Sequence, residues 1–149
     1  MKIPESVLVV IYTPALDVLI IERADHPGFW QSVTGSKATL DEPLHTVCVR
    51  EIAEETGLRV AGEQLDDWKI SHSFAIYEHW RHRYAAGVTH NTEHIFGLRW
   101  PDRFEPQLNP REHIDFRWLP WRAAADACFS WTNAEAIRRL ESLETGRGT

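Results

Sequence analysis

The chain has 149 residues, of which 43% are apolar and 26% charged, with a net charge of −6. That length suits one domain, residues 1–149, able to bury roughly 70% of its unfolded surface, and the composition is that of an ordinary soluble globular protein. The acidic balance does not point to general nucleic-acid binding, which normally shows a basic patch, and no apolar run approaches the ~20 residues of a membrane span.

Residues 6–13 are β-branched and nearly continuous in apolar side chains, the pattern of a strand buried on both faces, and Pro14 ends it. Residues 17–23 read as a second strand, paired with the first in a hairpin. His26-Pro27-Gly28 is a turn, and residues 29–34 lead into the stretch 35–58. Residues 58–60 are expected as a short strand or edge, and 66–77 as a long strand. Trp80-Arg81-His82-Arg83-Tyr84 follows, dense in cations and aromatics. In a strand, Arg81 and Arg83 would share a face, either cradling phosphate or supporting a loop or dimer contact, with His82 a structural histidine facing the other way. Residues 85–91 are expected as a loop, 94–100 as a strand, 106–110 as a loop and 114–119 as a short strand. Residues 123–129 have a helical pattern. Thr132-Asn133-Ala134-Glu135 has the form of a capping box that opens a helix through Leu143. Residues 145–149 are expected to fray.

Cys48 and Cys128 sit beside apolar neighbours in helical patterns, which suits buried small hydrophobes better than a disulfide or a nucleophile. The early run 7–11 is too short for a signal peptide and lacks a cleavage site. A cytoplasmic protein with no membrane or nucleic-acid partner is expected. Periodicity alone gives an α/β or α+β fold in one domain.

The stretch 35–58 organises the rest. Leu44, Cys48 and Ile52 recur at helical spacing, with Val49 and Ala53 widening the apolar stripe. Pro43 suits the first turn, Asp41 or Glu42 can cap it, and Gly57 fits just past the end. Glu51, Glu54 and Glu55 share the opposite face at i, i+3 and i+4. Like charges so placed destabilise a helix. Either the face is simply solvated, with Arg50 nearby, or a divalent cation offsets the repulsion.

The pattern resembles the Nudix box, G-x5-E-x7-R-E-U-x-E-E-x-G-U, where U is aliphatic. Gly35, Arg50, Glu51, Ile52, Glu54, Glu55, Gly57 and Leu58 match in order. Asp41 stands where the box has its first glutamate, and Glu42 follows one residue late, as if one residue were inserted before the helix. The resemblance implies a Nudix α/β/α sandwich, a mixed sheet between helices. It also implies a hydrolase of phosphoanhydrides that works with Mg²⁺, or Mn²⁺.

Outside the box, Phe29-Trp30-Gln31-Ser32-Val33-Thr34-Gly35-Ser36, Arg81-His82-Arg83-Tyr84 and Ser130-Trp131 are similar to one branch of that family, the bacterial dihydroneopterin triphosphate pyrophosphatases of folate synthesis. This likeness implies removal of pyrophosphate from a small-molecule triphosphate to leave the monophosphate. It implies metal ligands at Glu51, Glu55 and Glu112, with Glu54 beside them, and substrate contacts at Lys2, Arg23, Thr34, Phe74, Ala75, Ile76, Tyr77 and Ser130. Arg50 would position the carboxylates, and Glu112 would be a ligand or general base. Arg23 is either a bidentate phosphate partner or an exposed strand-end arginine. Trp30, Phe74, Tyr77 and Trp131 could stack a flat ring, although core packing is the default for each. Two other functions compete: a pyrophosphatase of ordinary or damaged nucleoside triphosphates, and a binding module without turnover. A monomer or weak homodimer is expected.

Overall fold

The computed structural model describes residues 1–147. Seven strands form one sheet: β1 Glu5–Tyr12, β2 Asp17–Arg23, β3 Trp30–Gln31, β4 Val33–Ser36, β5 Leu65–Ala75, β6 His90–Arg99 and β7 His113–Pro120. Four helices accompany them: α1 Leu44–Thr56, α2 Trp121–Ala127, α3 Trp131–Arg138 and α4 Leu140–Arg147. The hydrogen-bonded order is β3-β2-β1-β6-β5, with β4 also on β1 and β7 also on β2. β1 runs parallel to β6 and every other pairing is antiparallel, so the sheet is mixed.

β1 is central because its side chains are buried on both faces from Ser6 to Tyr12. Leu8, Val10 and Tyr12 pack with Ile95, Ala136, Ile137 and Leu140 on one side. Val7, Val9 and Ile11 pack with Val47, Cys48, Ile52 and Phe96 on the other. Two apolar layers thus flank the sheet, α1 on one face and α2 to α4 on the other, which gives the expected sandwich. No helix among the described residues is long and apolar enough to cross a membrane.

One edge of β1 is shared. β2 meets it at Tyr12↔Val18, and β4 takes the half from Ser6 to Val9. β4 is thereby held over the N-terminal half of β1, directly against α1.

Several local expectations change. No side chain caps α1, whose N-cap is Pro43; Asp41 is exposed and Glu42 is engaged elsewhere. Gly57 closes the helix at φ 78°, a left-handed turn that glycine adopts freely. Residues 58–60 form no strand. Glu78–Arg83 is a 3₁₀ turn, so Arg81 and Arg83 do not share a strand face, and His82 is exposed. β6 starts at His90, inside the expected loop. The cap of α3 is Ser130, whose hydroxyl accepts from Asn133 N at 3.5 Å; Thr132 lies inside the helix, which breaks at Arg139 before α4. Cys128 follows α2 and bridges Trp30. Both cysteines are free, and burial pushes Cys128 up to about 12 and Cys48 higher still, so neither is a thiolate. Residues 145–147 are helical rather than frayed, and Gly148 and Thr149 lie outside the described residues.

Candidate active site

Gly35 on β4 lies where an added Cβ would overlap Cγ and Cδ of Glu51. Only glycine lets the carboxylate of α1 lie flat against the strand. Glu55, one turn on, is buried against the same strand, and its Oε1 accepts from Thr34 N at 3.5 Å. The matched glycine and glutamates of the sequence are thus one contact between a strand and a helix.

Arg50 fastens this contact from outside. Its Nη1 donates to Glu51 Oε1 at 2.7 Å, its Nη2 to Glu42 Oε1 at 3.0 Å and to Ser36 O at 3.1 Å. The inserted residue before the helix therefore leaves Glu42 within reach of the arginine. Glu54 Oε1 is 3.9 Å from Arg50, and its side chain is 55% exposed.

Glu51 and Glu55 are different. Their side chains are only 13% and 4% exposed, and the two carboxyl groups contact each other within hydrogen-bond range. Burial, then the mutual contact, pushes Glu55 well above the usual carboxylate range; burial also raises Glu51. Two bare carboxylates cannot share such a space at neutral pH without a proton or cation between them. Mg²⁺ fits this donor set, since it takes one or two carboxylates and completes its shell with water and phosphate oxygens. Among the described residues, no three His, Cys, Asp or Glu side chains converge into a ready-made metal cage. Glu112 acts on Glu55 as a neighbouring negative charge without joining such a group.

These carboxylates open into a cavity of about 470 Å³. Glu51, Glu54, Glu55 and Glu112 line it together with Lys2, Arg23, Arg83 and Arg111. A shift of register in the β2–β7 pairing at Glu22/Arg23 sets Arg23 beside His113. The guanidinium of Arg23 grips Asp25 through two bonds of 2.8 Å, lies 4.3 Å from the Trp80 ring centre and donates to Gln31 at 3.2 Å. It is not a free strand-end arginine, but its carboxylate partner is Asp25. Arg83 also binds Asp25, at 3.0 Å, and both arginines hold that carboxyl far below its ordinary range. Lys2 N donates to Arg83 O at 2.8 Å, which fastens the chain start to the same cation cluster.

Thr34, Phe74, Ile76, Tyr77 and Ser130 also line the cavity. Ala75 does not: on β5 its side chain alternates away from Phe74. Trp30 is packed in the core and Trp131 is 61% exposed against the edge of His72, so neither faces the cavity. Their places as flat walls are taken by Trp80 and Phe129. Arg81 turns to Ile76 O instead of the cavity.

Sequence reasoning missed Asp25, Gln31, His113, Asn91 and Glu93, all of which line the cavity. His113 is buried 3.8 Å from Glu55, and desolvation, then the nearby Arg23 charge, pushes its ring down to about 4, so it is neutral. Glu93 is buried too, and desolvation pushes it up to about 7. The alternation Asn91, Glu93, Ile95 could have marked a strand face, but its polar members read as loop.

Three comparisons bear on this geometry. The family model for the NUDIX domain matches residues 2–140. The chain is 44% identical over 142 residues to the dihydroneopterin triphosphate diphosphatase of Escherichia coli K12, covering 93% of each chain. It is 41% identical over 138 residues to the protein of that name from Haemophilus influenzae, covering 91% of this chain and 85% of that one. The structure of the E. coli dihydroneopterin triphosphate pyrophosphohydrolase superposes with a TM-score of 0.85 at 42% identity, covering 93% of this chain and 94% of that one.

Proposed function

Because this chain belongs to the Nudix family, we propose that it hydrolyses dihydroneopterin triphosphate to the monophosphate and pyrophosphate, with Mg²⁺, as a cytoplasmic enzyme. The observation that carries the reading is one cavity lined by the Glu51–Glu55 carboxylates, by Lys2, Arg23 and Arg83, and by the rings of Phe74, Tyr77 and Phe129. A triphosphate ester of a flat heterocycle needs all three kinds of surface. The likeness of the chain to proteins named for this activity supports the same substrate.

In this reading Glu51 and Glu55 hold the cation, and Glu54 and Glu112 complete the acidic rim. When bound, Mg²⁺ supplies Lewis acidity toward phosphate oxygens and lowers the pKa of an attacking water. Arg50 favours the charged form of Glu51 against its burial and orients it by ion pairing. Lys2, Arg23 and Arg83 neutralise the phosphate chain, the two arginines exchanging the Asp25 carboxylate for substrate oxygens as the triphosphate enters. Gln31 and Thr34 are hydrogen-bonded to each other at 3.2 Å and keep the wall behind Glu55 polar. Neutral His113 adds no charge that would compete for the carboxylate.

The test is pyrophosphate release in Mg²⁺, with dihydroneopterin triphosphate set against dGTP and dATP. The pterin substrate should give the highest kcat/KM. Faster cleavage of either nucleotide by a large factor would remove the pterin assignment and leave a nucleotide pyrophosphatase.

A further inference from the structure

We infer that Glu93 and Asn91 form the ring-recognition end of the cavity. Glu93 Oε1 and Asn91 Oδ1 would accept hydrogen bonds from the adjacent N–H and amino donors of a 2-amino-4-oxo heterocycle. This rests on the reading of the substrate as a heterocyclic triphosphate bound in that cavity.

Both residues point to one face of β6, two positions apart, and both line the cavity. They are 5% and 3% exposed. Glu93 Oε1 and Asn91 Oδ1 have no hydrogen-bond partner among the described residues. The rest of each group is in use: Asn91 Nδ2 donates to Ser6 Oγ at 2.8 Å, and the Thr132 hydroxyl bonds the Glu93 carboxyl. With Glu93 ionised, what remains is a pair of acceptors with no donor opposite. A buried polar group left unpaired is costly, and native proteins rarely keep one without a use. Two acceptors on one strand face, two positions apart, match a ligand edge carrying two donors.

The surroundings suit a ring. Leu8, Phe74, Ile76 and Phe129 supply apolar and aromatic walls to the same cavity, and Phe74 is paired with Asn91 across β5 and β6. Spacing suits the rest of the substrate. Glu93 is in register with Ser6, and Ser6 with Ser36. Two strand spacings, roughly 10 Å, therefore separate Glu93 from the part of β4 that lies over Glu51. A fused ring with a short hydroxylated arm spans such a gap and delivers its phosphates to the carboxylates.

The chemistry also selects. Adenine and cytosine present one amino donor beside a ring acceptor, which would meet Asn91 or Glu93 oxygen to oxygen-like lone pair. Uracil and thymine offer one donor flanked by acceptors. Pterins and guanine share the two-donor edge, so guanine nucleotides are the expected secondary substrates.

The test titrates neopterin, the ring and arm without phosphate, by its fluorescence, with its 2-oxo analogue alongside. Wild-type protein should bind neopterin about 10- to 100-fold more tightly than the analogue. Glu93→Gln should lose that preference and bind pyrophosphate as before. If this variant does not fold, Asn91→Leu decides by the same criterion. An unchanged preference in the variant, or none in the wild type, overturns the assignment. No phosphoanhydride is cleaved in this titration, so its failure is distinct from failure to hydrolyse dihydroneopterin triphosphate.

Discussion

Replacing Glu93 by glutamine should change how stability depends on pH. In the folded protein, burial pushes this carboxyl from an ordinary 4.5 up to about 7. The folded state therefore keeps a proton between those values that the unfolded chain has released. Stability from this site is fully present below pH 4.5, falls as pH rises, and levels off above about 7. Since each decade corresponds to about 1.4 kcal/mol, the gap from 4.5 to about 7 amounts to about 3 kcal/mol. Water in the adjoining cavity makes that figure a ceiling. Glutamine has the same shape, can still accept from Thr132, and binds no proton. The stability of Glu93→Gln minus that of the parent should therefore grow with pH and reach a plateau. His113, held near 4 by burial, slopes the opposite way, but it is common to both proteins and cancels in the difference. Urea unfolding at fixed ionic strength from pH 5 to pH 8 measures it. A difference that stays constant over this range would refute the argument that Glu93 is buried with its proton.

Two other substitutions address the carboxylate end. Gly35→Ala places a methyl group where Glu51 Cγ and Cδ lie, so kcat should fall by about 100-fold or more with the far-UV circular dichroism unchanged, because a displacement near 1 Å has that order of effect. Near-normal kcat would show that Glu51 need not lie against β4. Arg50→Met leaves Glu42 and Glu51 without their cation; urea unfolding should show a loss of about 1–2 kcal/mol, tempered by partial exposure, together with slowed turnover. Unchanged stability would mean that solvent replaces the guanidinium.

What could be read from the sequence was what chain-local patterning determines. β2 falls on residues 17–23, and β1 is off by one residue, because continuous apolar side chains at a central position leave no other burial. α1 was legible because its stripe, its terminal Gly57 and its acidic face all agree on one register. Its cap was not, since Glu42 has a better partner in Arg50, a residue brought near only by the helix itself. Ser130 and Thr132 are both able to cap, and it is Ser130, two residues after the Trp30–Cys128 bridge, that does so. Residues 90–93 read as loop because strand patterns are recognised by apolar faces, and this face is polar where it walls a cavity. The site was legible at Glu51 and Glu55, where motif and spacing speak. It was hidden at Asp25, which Arg23 and Arg83 hold, at Gln31, placed by the β2–β3 pairing, and at His113, placed by the β2–β7 pairing across ninety residues of chain.

Everything in the proposed chemistry depends on a cation seated between α1 and β4. Crystals soaked with Mn²⁺ and pyrophosphate test this directly through anomalous scattering. The account predicts a metal peak bonded to carboxylate oxygens of both Glu51 and Glu55 and to the diphosphate. A diphosphate bound in the cavity with no metal at that carboxylate pair would contradict it.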